Sequence, residues 1–344
     1  MRRCKRKPIS AYWQNTNTNR RPAGSGRVLR ALACGLAVAI IACGGCKPSP
    51  PENKQPAAAQ PAATPLTIYA SFHPVAYFAE RIAGDTARVV CACPPEVDPA
   101  LWNPDDATLA DFQAADLIVL NGAAFEKWPE FTMLPEERVV ETADPLHDQL
   151  ITIAGSVTHQ HGPEGEHTHA GIDGHTWLDP LNARAQAETI RDALVARRPA
   201  QAETFKTGFA ALAKDLEDLD TRFRALGPLL GERLLICSHP AYNYIARRYG
   251  WRVHSLHLDP ESLPDADALK AIEALMTDNP AGLLLWEAAP ADAVAALLSE
   301  KFKLRSVVFS PAEACRAGGA EQAGDYLTVM RANLDRLRAA LAEQ

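Results

Sequence analysis

The residues best suited to chemistry in this chain are among its ten histidines. Several of them sit at the ends of strand patterns. His73 lies in Ser71-Phe-His-Pro74, His175 in His-Thr-Trp-Leu-Asp-Pro180, His239 in Ile236-Cys-Ser-His-Pro240, and His257 in Ser255-Leu-His-Leu-Asp-Pro260. Glu287 follows the apolar run Leu283-Leu-Leu-Trp286. Imidazole nitrogen combined with carboxylate oxygen suits Zn2+ best, then Mn2+ and other divalent transition metals. A lone histidine in such a place more often caps a turn; several at strand ends predict a shared site. The His-Glu-x-x-His pattern of one metalloprotease class does not occur. A second group, His159, His161, His167 and His169, is interleaved with Glu164 and Glu166 between Thr158 and Ala170. Its glycines and proline predict a flexible surface loop. Its two His-x-His pairs predict a weak auxiliary metal chelate.

The elements that must position these residues follow from periodicity. Strand patterns at Thr67–Phe72, Arg88–Ala92, Leu117–Leu120 and Arg138–Thr142 alternate with helical patterns at Val75–Ile82 and Asp105–Ala114. Such alternation predicts a mostly parallel sheet with helical crossovers. After Pro180 the pattern is helical. Phe205, Phe209, Leu212, Leu216, Leu219, Phe223 and Leu226 recur at spacings of four and three, one apolar stripe on a long helix stopped by Gly227-Pro228. Alternation resumes with strands at Arg233–Cys237, Arg252–Leu258, Gly282–Trp286 and Arg305–Phe309. The helices of this half are Ala241–Tyr249, Asp265–Thr277, Ala291–Lys301 and Gln322–Ala342. The expected class is α/β: two parallel-sheet lobes joined by a long rigid helix, with the ligand between them beyond the carboxyl ends of the strands.

The first 65 residues read as an address and a tether. Residues 1–42 carry nine basic and no acidic side chains and end in the apolar run Ala31–Ala42. Twelve apolar residues are too few for a membrane span, which needs about 20, but fit the h-region of a secretory signal. Ile40-Ile41-Ala42-Cys43 resembles a bacterial lipobox with Cys43 as the lipidated residue; Cys46 and an ordinary cleaved signal are the alternatives. Lys47 to Pro65 holds six prolines and reads as an extended spacer. The expected organisation is 1–43 signal with lipobox, 44–65 linker, 66–180 N-terminal lobe containing loop 158–170, 181–230 helical region, and 231–344 C-terminal lobe. The expected location is the periplasm or outer face of the cell membrane. Apolar residues make up 47% and charged residues 22% of the chain, which excludes a mostly disordered chain. Beyond residue 42 it carries 26 basic against 42 acidic residues, a net charge of −16. Such a body repels nucleic acid and favours cations. Cys91 and Cys93 alternate on one strand face and cannot comfortably bridge each other. They read as small packed residues, with a longer-range disulfide left open by the exported setting.

Several segments, in order, resemble one known group. They are Ser71-Phe-His-Pro-Val-Ala-Tyr-Phe-Ala-Glu-Arg-Ile-Ala-Gly-Asp85, Pro94-Pro-Glu-Val-Asp-Pro99, Ala115-Asp-Leu-Ile-Val-Leu-Asn-Gly122 with Glu126 and Trp128, His175-Thr-Trp-Leu-Asp-Pro180, and Ser238-His-Pro-Ala-Tyr-Asn-Tyr-Ile-Ala-Arg-Arg-Tyr-Gly250. From Thr67 onward the chain resembles the metal-binding substrate-binding proteins of ABC transporters, the zinc/manganese group typified by ZnuA/TroA-like proteins. The resemblance implies the cluster A-I type fold and metal held between the lobes. It implies a monomeric receptor without enzymatic activity that delivers its metal to an ABC permease. It implies His175 and His239 as ligands. Two positions depart from that pattern: Ala100 stands where the family has a histidine after Asp-Pro, and Ser310 where it has an aspartate. A tetrahedral site needs three or four ligands, so three outcomes are open. The site is rebuilt with His73, His257 or Glu287; or the histidine loop takes over; or the ligand is a chelated metal with Trp102 and Trp177 as apolar walls. A metal chelatase is the alternative of a different class. Metal binding is expected to fail at low pH, where imidazole is protonated.

Overall fold

The structure is a computed structural model that describes residues 64–160, 166–278, 282–315 and 325–343; the side chains of 154–160, 166–170 and 278 lie outside that description. The signal, Cys43, Cys46, the spacer and His161 therefore fall outside the described residues. Both lobes belong to one compact unit, Pro61–Gln344.

In the first lobe, β1 (Leu66–Ala70), β2 (Ala87–Cys91), β3 (Leu117–Leu120) and β4 (Val139–Glu141) form a parallel sheet in the order β2-β1-β3-β4. β3 is a continuous apolar Leu-Ile-Val-Leu, buried throughout, as a strand covered on both faces requires. α1 (His73–Ala83) crosses from β1 to β2 and starts with Pro74 in its first turn, where the missing N–H costs nothing. α2 (Asp106–Ala114) is capped by the Asp105 carboxylate, which accepts from Thr108 N at 2.8 Å.

The histidine-rich segment is where the fold departs from expectation. It is an antiparallel hairpin of β5 (Thr152–Gln160) and β6 (Glu166–Ile172), with His159 opposite His167 and Val157 opposite His169. The backbone of both arms is in ladder register; residues 161–165 lie outside the description. Turn-rich composition hid two strands that pair with each other and with neither main sheet.

α3 (Pro180–Arg197) and α4 (Ala202–Arg224) form the helical backbone, followed by the short α5 (Gly227–Leu230). Phe205, Phe209, Leu212, Leu216, Leu219 and Phe223 of the expected stripe are all buried. Gly208 lies on the same helix where α1 crosses it. A Cβ there would stand 2.5 Å from the carbonyl oxygen of Ile82 and 2.8 Å from that of Arg81. Gly208→Ala forces the two helices apart, and overpacking of this kind costs about 1–3 kcal/mol. A lowered Tm by differential scanning calorimetry checks this; an unchanged Tm contradicts the close crossing.

The second lobe repeats the architecture with β7 (Leu234–Cys237), α6 (Asn243–Tyr249), β8 (Arg252–Ser255), α7 (Ala266–Asp278), β9 (Leu283–Trp286), α8 (Asp292–Phe302), β10 (Arg305–Val308) and α9 (Tyr326–Ala342). The sheet order is β10-β9-β7-β8, again parallel. β8 ends earlier than expected. Beyond Ser255 the chain continues beside β7 with two hydrogen bonds, Leu256 N to Cys237 O and Leu258 N to Ser238 O. Among the described residues, no helix is long and apolar enough to cross a membrane. Cys91 is a disulfide partner of Cys315, 224 residues away, rather than a merely packed residue; Cys93 and Cys237 are free and buried.

Candidate metal centre

The first imidazole is held with unusual thoroughness. His175 precedes a single 3-10 turn, Thr176–Leu178. Its Nδ1 meets Asp173 Oδ1 at 2.8 Å, and its backbone N donates to the same oxygen at 3.0 Å. Asp173 Oδ2 accepts from Asn243 Nδ2 at 2.9 Å, and the Asp173 carbonyl accepts from the Tyr244 hydroxyl at 2.7 Å. A carboxylate on Nδ1 fixes a proton there and turns Nε2 toward the cleft as the nitrogen suited to ligate. Gly174 makes the approach possible: a Cβ at that position would lie 2.8 Å from the Phe125 Cβ. Its carbonyl accepts from Asn121 Nδ2 at 2.9 Å. Asn121 in turn is locked by Gln186 Nε2 at 2.8 Å. A wholly buried network thus sets the His175 backbone.

His175 Nε2 faces Glu313 Oε1 at 3.4 Å. Two ligand atoms bonded to tetrahedral zinc at about 2.0–2.1 Å are about 3.3 Å apart, so this pair already stands at the separation a bound ion requires. The second lobe offers a matching pair. His239, just beyond β7, places Nδ1 3.5 Å from Oε1 of Glu287, just beyond β9. The two imidazole rings are 5.8 Å apart, centroid to centroid. Glu287 Oε1 is buried and accepts no hydrogen bond among the described residues. Also among the described residues, no three His, Cys, Asp or Glu side chains converge tightly enough to hold an ion. The candidate site consists of two imidazole–carboxylate pairs.

The electrostatics suit a cation. Burial alone would lower the His175 pKa, but the Asp173 and Glu313 carboxylates outweigh it and hold the pKa well above the usual imidazole value. Burial, reinforced by the nearby charges of Glu313 and Asp98, pushes Glu287 up to about 8, against an opposing pull from His175. Carboxylates crowded in a poorly solvated cleft are relieved by a divalent ion.

Of the expected site residues, His175, His239 and Glu287 are brought together. His73 is buried and its backbone N donates to the Glu313 carbonyl at 3.2 Å. His257 is exposed, next to Leu258, whose N donates to the Ser238 carbonyl. Neither Trp102 nor Trp177 is a free wall. Trp102 packs with Phe112 and Trp128, while fully buried Trp177 backs the His175 ring at 5.4 Å. Beside His175 a cavity of about 140 Å³ opens between Ala100, Phe125, Lys127 and Pro240. Sequence reasoning missed Glu313 and Asp173. Glu313 is the first carboxylate after β10, three residues beyond Ser310, and that was its only signal.

A family described as "Zinc-uptake complex component A periplasmic", ZnuA, matches residues 68–340. The chain belongs to the ZnuA family. It is 29% identical over 278 residues to the zinc-binding lipoprotein AdcA of Streptococcus pneumoniae strain ATCC BAA-255/R6, a match that covers 79% of this chain and 55% of that one. The chain thus spans about half the length of that relative. It is 27% identical over 287 residues to the high-affinity zinc uptake system protein ZnuA of Bacillus subtilis strain 168, covering 80% and 88% of the two chains. The Zn(II)-bound ZnuA-like domain of S. pneumoniae AdcA superposes with a TM-score of 0.68 at 26% identity, covering 80% of this chain and 99% of the domain.

The two-lobed α/β fold expected from the sequence is the fold of these ZnuA-type structures. The matching family and the named relatives are a zinc-uptake component and zinc-binding proteins, a different class from the chelatase alternative. Asp173 orients the His175 imidazole from behind. Asp173→Asn therefore weakens zinc binding by about 10–100-fold, the usual cost of losing such a partner. A chelator-competition titration measures it; an affinity within twofold of wild type contradicts the assigned role.

Proposed function

We propose that this chain is the extracytoplasmic receptor of an ABC importer. It captures a divalent transition metal, zinc first, between its lobes and passes it to a membrane permease. The ligands are His175 and His239 with Glu313 and Glu287, the carboxylates compensating for Ala100 and Ser310. The observation that carries this reading is the 3.4 Å approach of Glu313 Oε1 to an Nε2 nitrogen whose ring is already oriented by Asp173. Family membership and the zinc-binding names of its relatives support the same cargo. The lipobox resemblance at Cys43 supports a lipid anchor, and the proline-rich stretch after it a spacer that lets the receptor reach the permease. The histidine group of His159, His161, His167 and His169 is an auxiliary, weaker point of metal capture. Competition between the full chain and a zinc chelator tests the assignment. Wild type binds zinc, Glu313→Ala binds it about a hundredfold more weakly, the loss of one ligand, and Ser310→Ala binds as wild type does. No zinc binding by the intact chain, or a silent Glu313→Ala, overturns it.

A further inference from the structure

The segment between β10 and Cys315 leaves the second lobe and crosses to the first. Its anchors lie on both sides of Glu313. Trp177 Nε1 donates to the Pro311 carbonyl at 2.8 Å, and His73 N donates to the Glu313 carbonyl at 3.2 Å. Two residues further on, Cys315 is bonded to Cys91 at the end of β2. Cys315 is 3% exposed and packed with Tyr69, Trp102, Phe112 and Trp128 in the outer core of the first lobe. Among the described members of that cluster, it alone comes from beyond residue 139. At Ala312 the strap takes φ +62°, a left-handed conformation that costs a non-glycine residue energy and persists only where neighbours enforce it.

We propose that the Cys91–Cys315 disulfide is the positioning element of the metal site: by tying the strap to the first lobe it holds the Glu313 carboxylate opposite His175. This inference rests on the metal reading given above. Without the covalent bond, the described contacts flanking Glu313 on the strap are the hydrogen bonds that its carbonyls accept from Trp177 Nε1 and His73 N, and the carboxylate spends time away from Nε2. The cysteines touch no metal; their whole effect on binding passes through Glu313. Cys93 is not a substitute. Burial, with Asp98 and Glu313 adding, pushes its thiol up to about 12, so it is not the thiolate that exchange requires.

A double-mutant cycle on the full chain tests this with zinc and a competing chelator. In the wild-type background, Cys91→Ser/Cys315→Ser weakens zinc binding at least tenfold, while Cys93→Ser leaves it unchanged. In the Glu313→Ala background the same pair of serines changes affinity by less than twofold, because the group they positioned is gone. A purely structural disulfide gives the same loss in both backgrounds, and that result overturns the proposal, as does no loss in either. Near-UV circular dichroism confirms the fold of each variant. If the serine pair does not fold, Cys91→Ala/Cys315→Ala, which keeps the cluster apolar, carries the cycle. An intact chain that binds no zinc overturns the metal reading itself, whereas zinc binding without coupling overturns only the role of the disulfide.

Discussion

Replacing His175 and His239 together by alanine is expected to reduce zinc affinity on the order of a thousandfold or more. A four-ligand zinc site contributes about 10–16 kcal/mol at neutral pH, hence about 3 kcal/mol for each ligand. Two lost imidazoles therefore remove about 6 kcal/mol, and about 4 kcal/mol already corresponds to a thousandfold. The loss falls on the cleft because each ring is paired with a carboxylate, Glu313 or Glu287, at 3.4 or 3.5 Å. Removing residues 158–170, which carry the hairpin histidines, is expected to leave the tight site within about threefold. Chelator competition on the two variants separates the contributions. Retained affinity in the double variant, with loss in the deletion, would move the metal from the cleft to the hairpin.

The second large effect is with pH. Zinc displaces the protons of the groups that bind it. His175 holds its proton well above the usual imidazole value, and Glu287 holds its own up to about 8. Zinc affinity is therefore expected to rise by about tenfold per pH unit for each proton released, or about two decades between pH 6 and 7 where both groups are protonated. It continues to rise, less steeply, toward pH 8. The metal-free protein shows the opposite trend. Both pKa values are raised on folding, so both groups stabilise the fold at pH values below their unfolded pKa values. That contribution is lost as pH climbs through the raised ones, to about 8 for Glu287. The difference in Tm between zinc-loaded and chelator-treated protein should thus widen from pH 6 to pH 8. A constant difference contradicts proton-coupled capture at these residues.

The fold was largely legible because its signals are local. The α4 stripe repeats at helical spacing, and β3, β7 and β9 are unbroken apolar runs. Strand ends were overextended because the chain past Ser255 keeps an apolar alternation, Leu256 and Leu258, while leaving ladder geometry. The hairpin was illegible because its register comes from cross-strand pairing, which polar, glycine-rich sequence does not advertise. Of the residues that meet at the candidate site, His239 and Glu287 stand just beyond apolar runs and His175 opens the His-Thr-Trp-Leu-Asp-Pro motif. Glu313 was not: it sits five residues past the end of β10, on a strap whose path is set by Trp177, His73 and Cys91. A disulfide closing 224 residues leaves no local trace in sequence. Neither does a carboxylate delivered to the opposite lobe by that bond.

Zinc held between the lobes is expected to sit on two imidazoles and carboxylate oxygens. X-ray absorption at the zinc edge, on the full chain loaded with one equivalent, tests it most directly. The account predicts two imidazole nitrogens at about 2.0–2.1 Å and oxygen ligands at about 2.0–2.2 Å, with no sulfur. It predicts one imidazole fewer in His175→Ala. A spectrum with three or four imidazoles, unchanged by His175→Ala, would place the ion on the hairpin and contradict the account.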